Sequence, residues 1–171
     1  HQRGFMEVSR QAPGEQYERF LEDGSPVYLT DLVGDYMAEF VDRNAREGKP
    51  FFLYFSPFAV HSKVKSPQHY RDRIPTGDGT IYEGAVVAVD DAVGKLLETL
   101  ERHGLRENPL IFLTGDNGAN LTQGGFSTPY RGGKGRGTQL EGWVRTPTVI
   151  SWPAGIPSGR RYDGLMATID F

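Results

Sequence analysis

The sequence contains no cysteine, which excludes disulfide bonds and thiolate metal sites within its 171 residues. No apolar run approaches the roughly 20 residues that a membrane-spanning helix needs. The excess of charge is also small, because a formal net charge of −3 provides no bulk attraction to nucleic acid or to an anionic membrane. The first residues include neither an initiator methionine nor an apolar signal stretch, so we expect the natural N-terminus to lie upstream.

The length and the spacing of apolar residues predict one domain that contains two long helices. A chain of 171 residues corresponds to about one domain. One helical pattern begins near residue 30, where Thr30 or Asp31 is a suitable N-cap, and it is stopped by Gly48. The second pattern covers residues 81–103, and Gly104 follows it as a left-handed stop.

Short apolar runs predict strands at residues 51–55, 110–114 and 147–151. The run at 51–55 has no polar interruption, which is typical of a strand that is covered on both faces. Because helices and strands alternate, we predict an α/β fold with a mostly parallel sheet and helices on both faces. Residues 1–29 and 66–80 lack clear periodicity and are predicted to be irregular or surface structure.

Two candidate metal ligands follow the predicted strand at 110–114. Asp116 and Asn117 supply a carboxylate and an amide carbonyl, and such oxygen donors suit Ca²⁺ or Mg²⁺. The Asn-Gly pair also fits a tight turn, and the two interpretations are compatible. His61 lies just beyond the predicted strand at 51–55. Ligands of open α/β sheets bind beyond the carboxyl ends of the strands, so neighbouring strands would bring these three side chains to one rim.

His61 and Lys134 are the candidates for binding an anion. An imidazole can donate a hydrogen bond or act as a general acid or base, although a single loop histidine is more commonly a surface residue. Lys134 is flanked by glycines, so the backbone can approach an oxyanion closely while the ammonium supplies charge. The loop is not a P-loop, because Gly135 stands where Ser or Thr is required. The alternatives are a flexible surface loop or a segment that binds nucleic acid, and the acidic charge balance argues against the latter.

Three further residues are assigned no part in the chemistry of the site. Asn120 opens an Asn-Leu-Thr pattern that fits a glycosylation acceptor, but so short a pattern arises easily by chance. Asp90 and Asp91 lie within the second predicted helix, where we expect Asp91 to be exposed and Asp90 to pair at the edge of the helix.

Taken together, the motifs resemble those of the sulfatase family of the alkaline-phosphatase-like superfamily, from about residue 3 to residue 170. Each segment is individually short, but their order and spacing match the family. In chain order they are RGF at 3–5, TD at 30–31, KPFFLY at 49–54, the histidine at 61, VDDAVG at 89–94, TGDNG at 114–118, PYRGGKG at 129–135 and EGWVRTP at 141–147.

The resemblance implies a role for each candidate residue. Asp116 and Asn117 would bind Ca²⁺, with Mg²⁺ as the alternative, together with aspartates from elsewhere, and Lys134 and His61 would contact the sulfate group and the leaving oxygen. The family nucleophile is a formylglycine that is made from Cys or Ser in a Cys/Ser-x-Pro-x-Arg motif. The metal and the fixed cations stabilise oxyanion charge as the S–O bond breaks. The implied substrate is a sulfated glycan or an aryl sulfate, and the implied compartment is periplasmic, secreted or lysosomal.

The chain departs from the family pattern in three places. Val60 and Lys63 stand where the family often has prolines beside its histidine, so we expect the local backbone to differ. The spacer between Lys134 and Glu141 is slightly longer than usual. Residues 127–131 spell Ser-x-Pro-x-Arg, but they follow the metal pair and coincide with the lysine loop, so we interpret them as a chance match and not as the modified site.

The family's nucleophile and its first metal aspartates have no counterpart in this sequence. We therefore interpret residues 1–171 as the second half of one sulfatase catalytic domain, without the nucleophile segment and the C-terminal subdomain. On this interpretation the chain alone is expected to be inactive, and the intact protein is expected to hydrolyse sulfate esters. A phosphodiesterase or phosphonate hydrolase of the same superfamily, and a non-catalytic anion-binding remnant, are the alternatives.

Overall fold

A computed structural model describes residues 17–21, 24–75, 79–135 and 140–170. The RGF segment and most of the spacer after Lys134 lie outside the described residues. In chain order the elements are β1 (Glu18–Phe20), β2 (Pro26–Tyr28), α1 (Leu29–Arg46), α2 (Gln68–Arg71), α3 (Ile81–Arg102), β3 (Ile111–Thr114), α4 (Glu141–Val144) and β4 (Thr148–Ser151), with 3₁₀ turns at Leu121–Gln123 and Thr168–Asp170. Across these ranges, no helix combines the length and the apolar character needed to cross a bilayer.

The two long helices α1 and α3 confirm the helical patterns of the sequence, and they pack against each other. Their close approach depends on Gly34, where an added Cβ would lie 3.2 Å from the Cβ of Ala92. Near the other end of the contact, Nε2 of His103 lies 2.9 Å from a carboxylate oxygen of Asp42. This hydrogen bond holds the pKa of Asp42 below its usual value. The buried side chains of these two helices include Met37, Val41, Ala85, Ala88, Ala92 and Leu100.

The helix stops were predicted correctly, but the cap of α1 was not. Gly48 and Gly104 have φ of +62° and +65°, which is the left-handed conformation that ends a helix and favours glycine. The expectation that Thr30 or Asp31 caps α1 is wrong, because α1 continues directly from β2 and its N-cap is Tyr28, without a side-chain cap.

The two sheets of the described residues are antiparallel pairs, β1 with β2 and β3 with β4. The first is a hairpin at residues that we expected to be irregular. In the second, Phe112 lies opposite Ile150, so the mostly parallel sheet that we predicted is not formed by these strands. The reason is the loop between them, whose ends meet where the N–H of Gly115 donates to the carbonyl of Pro147 at 3.3 Å. The chain therefore returns beside β3 and runs in the opposite direction.

The predicted strand at 51–55 is wrong for this structure, in which residues 51–58 have no regular secondary structure. Phe52 is 86 % exposed and Tyr54 is 69 % exposed, so the segment is not covered on both faces. A strand needs a neighbour to pair with its backbone N–H and C=O groups, and the described part of the chain places no strand beside this one.

A hydrophobic cluster that contains three tyrosine rings, called the aromatic cluster below, lies under the loop that carries His61. Its buried members are Tyr17, Tyr28, Tyr70, Ala59, Ala85 and Ala88.

The expectation for the two helix aspartates is reversed, because Asp91 pairs with Arg73 beyond α2 whereas Asp90 is exposed. The ion pair ties the 66–80 segment to α3, so this segment is anchored to the core.

Candidate functional site

Asp116 and Asn117 lie in the turn after β3, between two glycines whose backbone N–H groups are hydrogen-bonded. Asp116 is exposed and Asn117 is partly buried. The N–H of Gly118 donates to the carbonyl of Trp143 at 2.6 Å, which fixes the turn. Within the described residues, neither side chain has a hydrogen bond or an ion pair. Their oxygens are therefore free to bind a ligand.

Glycines allow three loops of the candidate site to cross in close contact. A Cβ on Gly118 would lie 1.9 Å from the carbonyl oxygen of Gly142, and a Cβ on Gly142 would lie 2.4 Å from the carbonyl oxygen of Gly132. A Cβ on Gly133 would lie 2.8 Å from the carbonyl oxygen of Ala119. Since these neighbours are backbone atoms, side chains at these positions would push the loops apart. The glycine-rich segment is thus packed against other loops at Gly132 and Gly133, which argues against a freely exposed loop at these two residues.

Lys134 is held at this crossing by its backbone. Its N–H donates to the carbonyl of Ala119 at 2.8 Å. The neighbouring Gly132 and Gly135 have φ of +85° and +77°, so glycines supply the left-handed conformations on both sides of the lysine. The side chain is partly buried, and among the described residues the ammonium forms no ion pair.

His61 stands in a tight turn above the aromatic cluster. Its N–H donates to the carbonyl of Phe58 at 2.9 Å, and its imidazole centroid lies 5.0 Å from that of the Phe58 ring. The residue is exposed. Lys63 has φ of +57°, which a proline ring cannot adopt. The backbone here therefore differs from that of a relative with proline at this position, as expected.

Asn120 joins the His61 loop to the loop of Asp116 and Asn117. Its Nδ2 donates to Oγ of Ser62 at 3.1 Å, and nearby the N–H of Val64 donates to Oε1 of Gln123 at 3.2 Å. The preceding carbonyl, that of Ala119, is the one that accepts from Lys134. Residues 119–120 thus connect the three loops that carry the four candidate residues.

The observed hydrogen bonds connect the loops, and they do not involve the functional ends of the four side chains. In the part of the chain that the structure describes, no hydrogen bond or ion pair joins any two of His61, Asp116, Asn117 and Lys134. That they share one ligand stays a prediction. The sequence also missed the residues that make the connection. Asn120 was considered only as a glycosylation acceptor, and no local pattern links it to Ser62, which lies 58 residues away.

The Ser-x-Pro-x-Arg match at residues 127–131 forms a turn. The N–H of Tyr130 donates to the carbonyl of Ser127 at 2.8 Å. The hydroxyl of Ser127 donates to the carbonyl of Gly142 at 3.3 Å. The serine hydroxyl therefore has a structural use in holding the lysine loop against α4.

Asp116 and Asn117 fit part of a divalent metal site. Their donors are hard oxygens, which suit Ca²⁺ or Mg²⁺, but Ca²⁺ takes roughly six to eight oxygen ligands. Over the described ranges there is no group of three or more His, Asp or Glu side chains that could hold a metal. The pair is thus suited in chemistry and incomplete in number, so further ligands must come from other residues or from water.

The whole chain matches one protein family. The family model described as Sulfatase covers residues 3–171, and the chain therefore belongs to the sulfatase family. The α/β fold class is supported by solved structures, since the chain matches PsFucS1 sulfatase from Pseudoalteromonas sp. with a TM-score of 0.72 at 31 % identity, over 87 % of this chain and 32 % of that one.

Two other proteins illustrate the range of similar sequences and structures. The chain is 35 % identical to the N-acetylgalactosamine-6-sulfatase of Canis lupus familiaris over 164 residues, which is 92 % of this chain and 30 % of that protein. It also matches the crystal structure of Ps i-CgsB in complex with k-i-k-neocarrahexaose, with a TM-score of 0.73 and 32 % identity over 80 % of this chain and 30 % of that one. The chain thus spans about a third of the length of the proteins it matches.

Proposed function

We propose that the intact protein hydrolyses sulfate esters and that residues 1–171 form the second half of its catalytic domain. The observation that supports this most directly is the junction at residues 119–120. It bonds the His61 loop and the Lys134 loop to the same short segment, directly after Asp116 and Asn117. A cationic side chain, an imidazole and two oxygen donors on adjoining loops suit the binding of an oxyanion beside a metal ion.

Lys134 is proposed to bind the sulfate group. Its ammonium has no ion pair within the described residues, so no protein carboxylate there competes with an anionic ligand. At the neighbouring Gly135 an added Cβ would meet no atom within 4 Å, so an anion has room to approach the backbone on that side of the lysine. A partly buried cation of this kind stabilises charge on the sulfate oxygens more strongly than a fully solvated one.

His61 is proposed to act on the leaving oxygen. In the net reaction, water adds across the S–O bond: the ester oxygen leaves with a proton as an alcohol, and the sulfate departs with the oxygen of water. The imidazole can donate a hydrogen bond or a proton to the ester oxygen as its bond to sulfur breaks. The tilted contact with the Phe58 ring limits the orientations that the imidazole can take.

Two groups of the proposed site are expected from the family. Asp116 and Asn117 would hold a Ca²⁺ ion, which would supply Lewis-acid stabilisation of the sulfate oxygens when bound. We do not assign the formylglycine nucleophile to this chain, because the sequence has no cysteine and the hydroxyl of Ser127, in the Ser-x-Pro-x-Arg match, is bonded to the carbonyl of Gly142. We propose that another part of the intact protein supplies the nucleophile and the remaining metal ligands.

A sulfated carbohydrate is the proposed substrate class. One similar protein is named an N-acetylgalactosamine-6-sulfatase, and a similar structure holds a neocarrahexaose. Both names refer to carbohydrate ligands, which supports a sulfated glycan over a simple aryl sulfate as the natural substrate.

The test is an assay of the intact protein, purified with Ca²⁺, on three substrates: a sulfated galactosaminide, an aryl sulfate and a phosphate diester. We expect release of sulfate from the first two and at most slow cleavage of the diester. Faster cleavage of the diester would favour the phosphodiesterase alternative. Release from none of them would favour the anion-binding remnant, which sulfate binding by calorimetry would then detect.

A further inference from the structure

Two buried tyrosine hydroxyls hold the two ends of the loop that carries His61. The hydroxyl of Tyr17 donates to the carbonyl oxygen of His61, and the hydroxyl of Tyr28 donates to that of Lys65 at 2.7 Å. Both tyrosines belong to the β1–β2 hairpin, Tyr17 directly before β1 and Tyr28 at the end of β2. The hairpin therefore presents two donors side by side to one short loop.

Tyr17 also contacts the histidine turn through its ring. The residue is 2 % exposed. Its ring lies parallel to that of Tyr28, with 6.0 Å between the ring centroids, and forms an edge-to-face contact with the Phe58 ring, with 5.0 Å between the centroids. Phe58 in turn packs against the imidazole of His61 at 5.0 Å. Tyr17 thus reaches the backbone of His61 by a hydrogen bond and its side chain through Phe58.

The donor role of this hydroxyl is stable across the ordinary pH range. Burial, with the nearby Tyr28 as a smaller cause, raises the pKa of Tyr17 well above its usual value. The hydroxyl therefore keeps its proton, and the carbonyl of His61 keeps its donor. Loss of that donor would leave a partly buried acceptor unpaired and would release one of the bonds that fix the turn.

We infer that Tyr17 is a positioning residue for His61, acting on the orientation of the imidazole without touching the substrate. The inference rests on the proposed function, because it assigns Tyr17 a role through the histidine. Since a displacement of about 1 Å of a catalytic group can cost up to about 100-fold in rate, a single hydroxyl at this position can matter for turnover.

The test compares Tyr17→Phe with Tyr70→Phe in the intact protein. Tyr70 belongs to the same aromatic cluster, but its hydroxyl donates to Asp31 of α1 at 2.5 Å, away from the histidine loop. Each change removes one hydroxyl and keeps the ring, so both are expected to lower Tm by a few degrees. We expect kcat to fall by about 10-fold or more in Tyr17→Phe only, with KM changed by less than about twofold. Equal losses in the two variants would overturn the inference.

A double variant separates positioning from general stability. In a His61→Ala background, Tyr17→Phe is expected to cause no further loss of kcat, because the residue it positions is gone, while the losses in Tm remain additive. Multiplying losses of kcat would mean that Tyr17 acts independently of His61. If His61→Ala itself retains full activity, it is the proposed role of the histidine that fails, and if the unmodified protein releases no sulfate, it is the proposed function.

Discussion

The side-chain amide of Asn120 donates a hydrogen bond to the hydroxyl of Ser62, with 3.1 Å between nitrogen and oxygen. Ser62 directly follows His61, and Asn120 lies three residues after Asn117, so this bond connects the two halves of the proposed site. The other end of the amide is also used, because Oδ1 accepts from the N–H and from the hydroxyl of Thr122. The amide is therefore fixed in orientation, and its nitrogen points to the histidine loop.

Replacing Asn120 with alanine should remove the hydrogen bond between the His61 loop and the turn that carries Asp116 and Asn117. We expect kcat/KM of the intact protein towards a sulfate ester to fall by about 10-fold or more, because the two loops lose one of the two side-chain hydrogen bonds described between them, the other being that of Gln123 to the N–H of Val64. Thr122→Ala is the matched control, since it also removes a bond to Asn120 but preserves the one to Ser62. Steady-state kinetics of the two variants decide the matter, and an equal loss in both would show that the bond to Ser62 is not the important one.

A methyl group at Gly118 should damage the site by steric conflict. An added Cβ would lie 1.9 Å from the carbonyl oxygen of Gly142 and 2.7 Å from the Cα of Trp143, and neither backbone atom can move without separating the loops. We expect Gly118→Ala to lower the free energy of unfolding by about 1–3 kcal/mol and to abolish most of the activity.

The control for this substitution is Gly94→Ala, measured in the same unfolding and activity assays. Gly94 lies inside α3, and an added Cβ would meet no atom within 4 Å. Alanine is favoured over glycine in a helix by roughly 0.5–1 kcal/mol, so this variant should be slightly more stable and fully active. A Gly118→Ala protein that behaves like Gly94→Ala would mean that the loops are not packed as described.

Lys134→Ala should reduce turnover far more than stability. The ammonium forms no ion pair within the described residues, so its removal breaks no ion pair there, whereas loss of one charge-stabilising group typically costs roughly 10²–10³-fold in kcat. Lys49→Ala is the control, because Lys49 pairs only with the nearby Glu47 in the described structure. A Tm that falls in step with activity in Lys134→Ala would indicate a structural role.

The start of α3 should make stability depend on acid pH. The carboxylate of Glu83 accepts from the N–H of Thr80 at 2.8 Å, and this bond holds the pKa of Glu83 below its usual 4.5. Ionised Glu83 therefore stabilises the folded state above about that pH, and the stabilisation is lost as pH falls through the lowered pKa. Glu83→Gln should flatten this part of the curve of Tm against pH. Identical curves for the two proteins would argue against the capping interaction.

The other half of the same cap can be tested at neutral pH. Oγ1 of Thr80 accepts from the N–H of Glu83 at 3.2 Å, so Thr80→Ala leaves a backbone donor of the first turn without its partner. The expected cost is about 1 kcal/mol of unfolding free energy, which chemical denaturation of the two proteins measures.

The sequence predicted well where short stretches of chain decide the outcome. The helical spacing around Met37 and Val41 predicted α1, and Gly48 and Gly104 ended the two long helices by their left-handed backbone. The apolar run before Asp116 predicted β3. Each of these features depends on the period of the side chains or on the permitted φ of one residue, and both are local properties.

The sequence failed where the outcome depends on what lies beside a segment. The run at 51–55 has the composition of a buried strand, but in the described structure nothing pairs with it, and Phe52 is exposed. The hairpin that begins at Glu18 has strands of only three residues, too short for a periodic pattern. The sequence predicted the strand β4 but not its antiparallel direction, because the meeting of Gly115 with Pro147 sets that direction and no local signal encodes the contact.

By itself, the sequence determined the two long helices, the positions of β3 and β4, the four candidate residues and their resemblance to sulfatases. Only the tertiary structure decided that residues 119–120 bond to both the His61 loop and the Lys134 loop. It also decided that the hydroxyl of Tyr17 donates to the carbonyl of His61. The physical reason is distance along the chain. Hydrogen bonds such as the one between Asn120 and Ser62 join groups 58 residues apart, so no local pattern in the sequence specifies them.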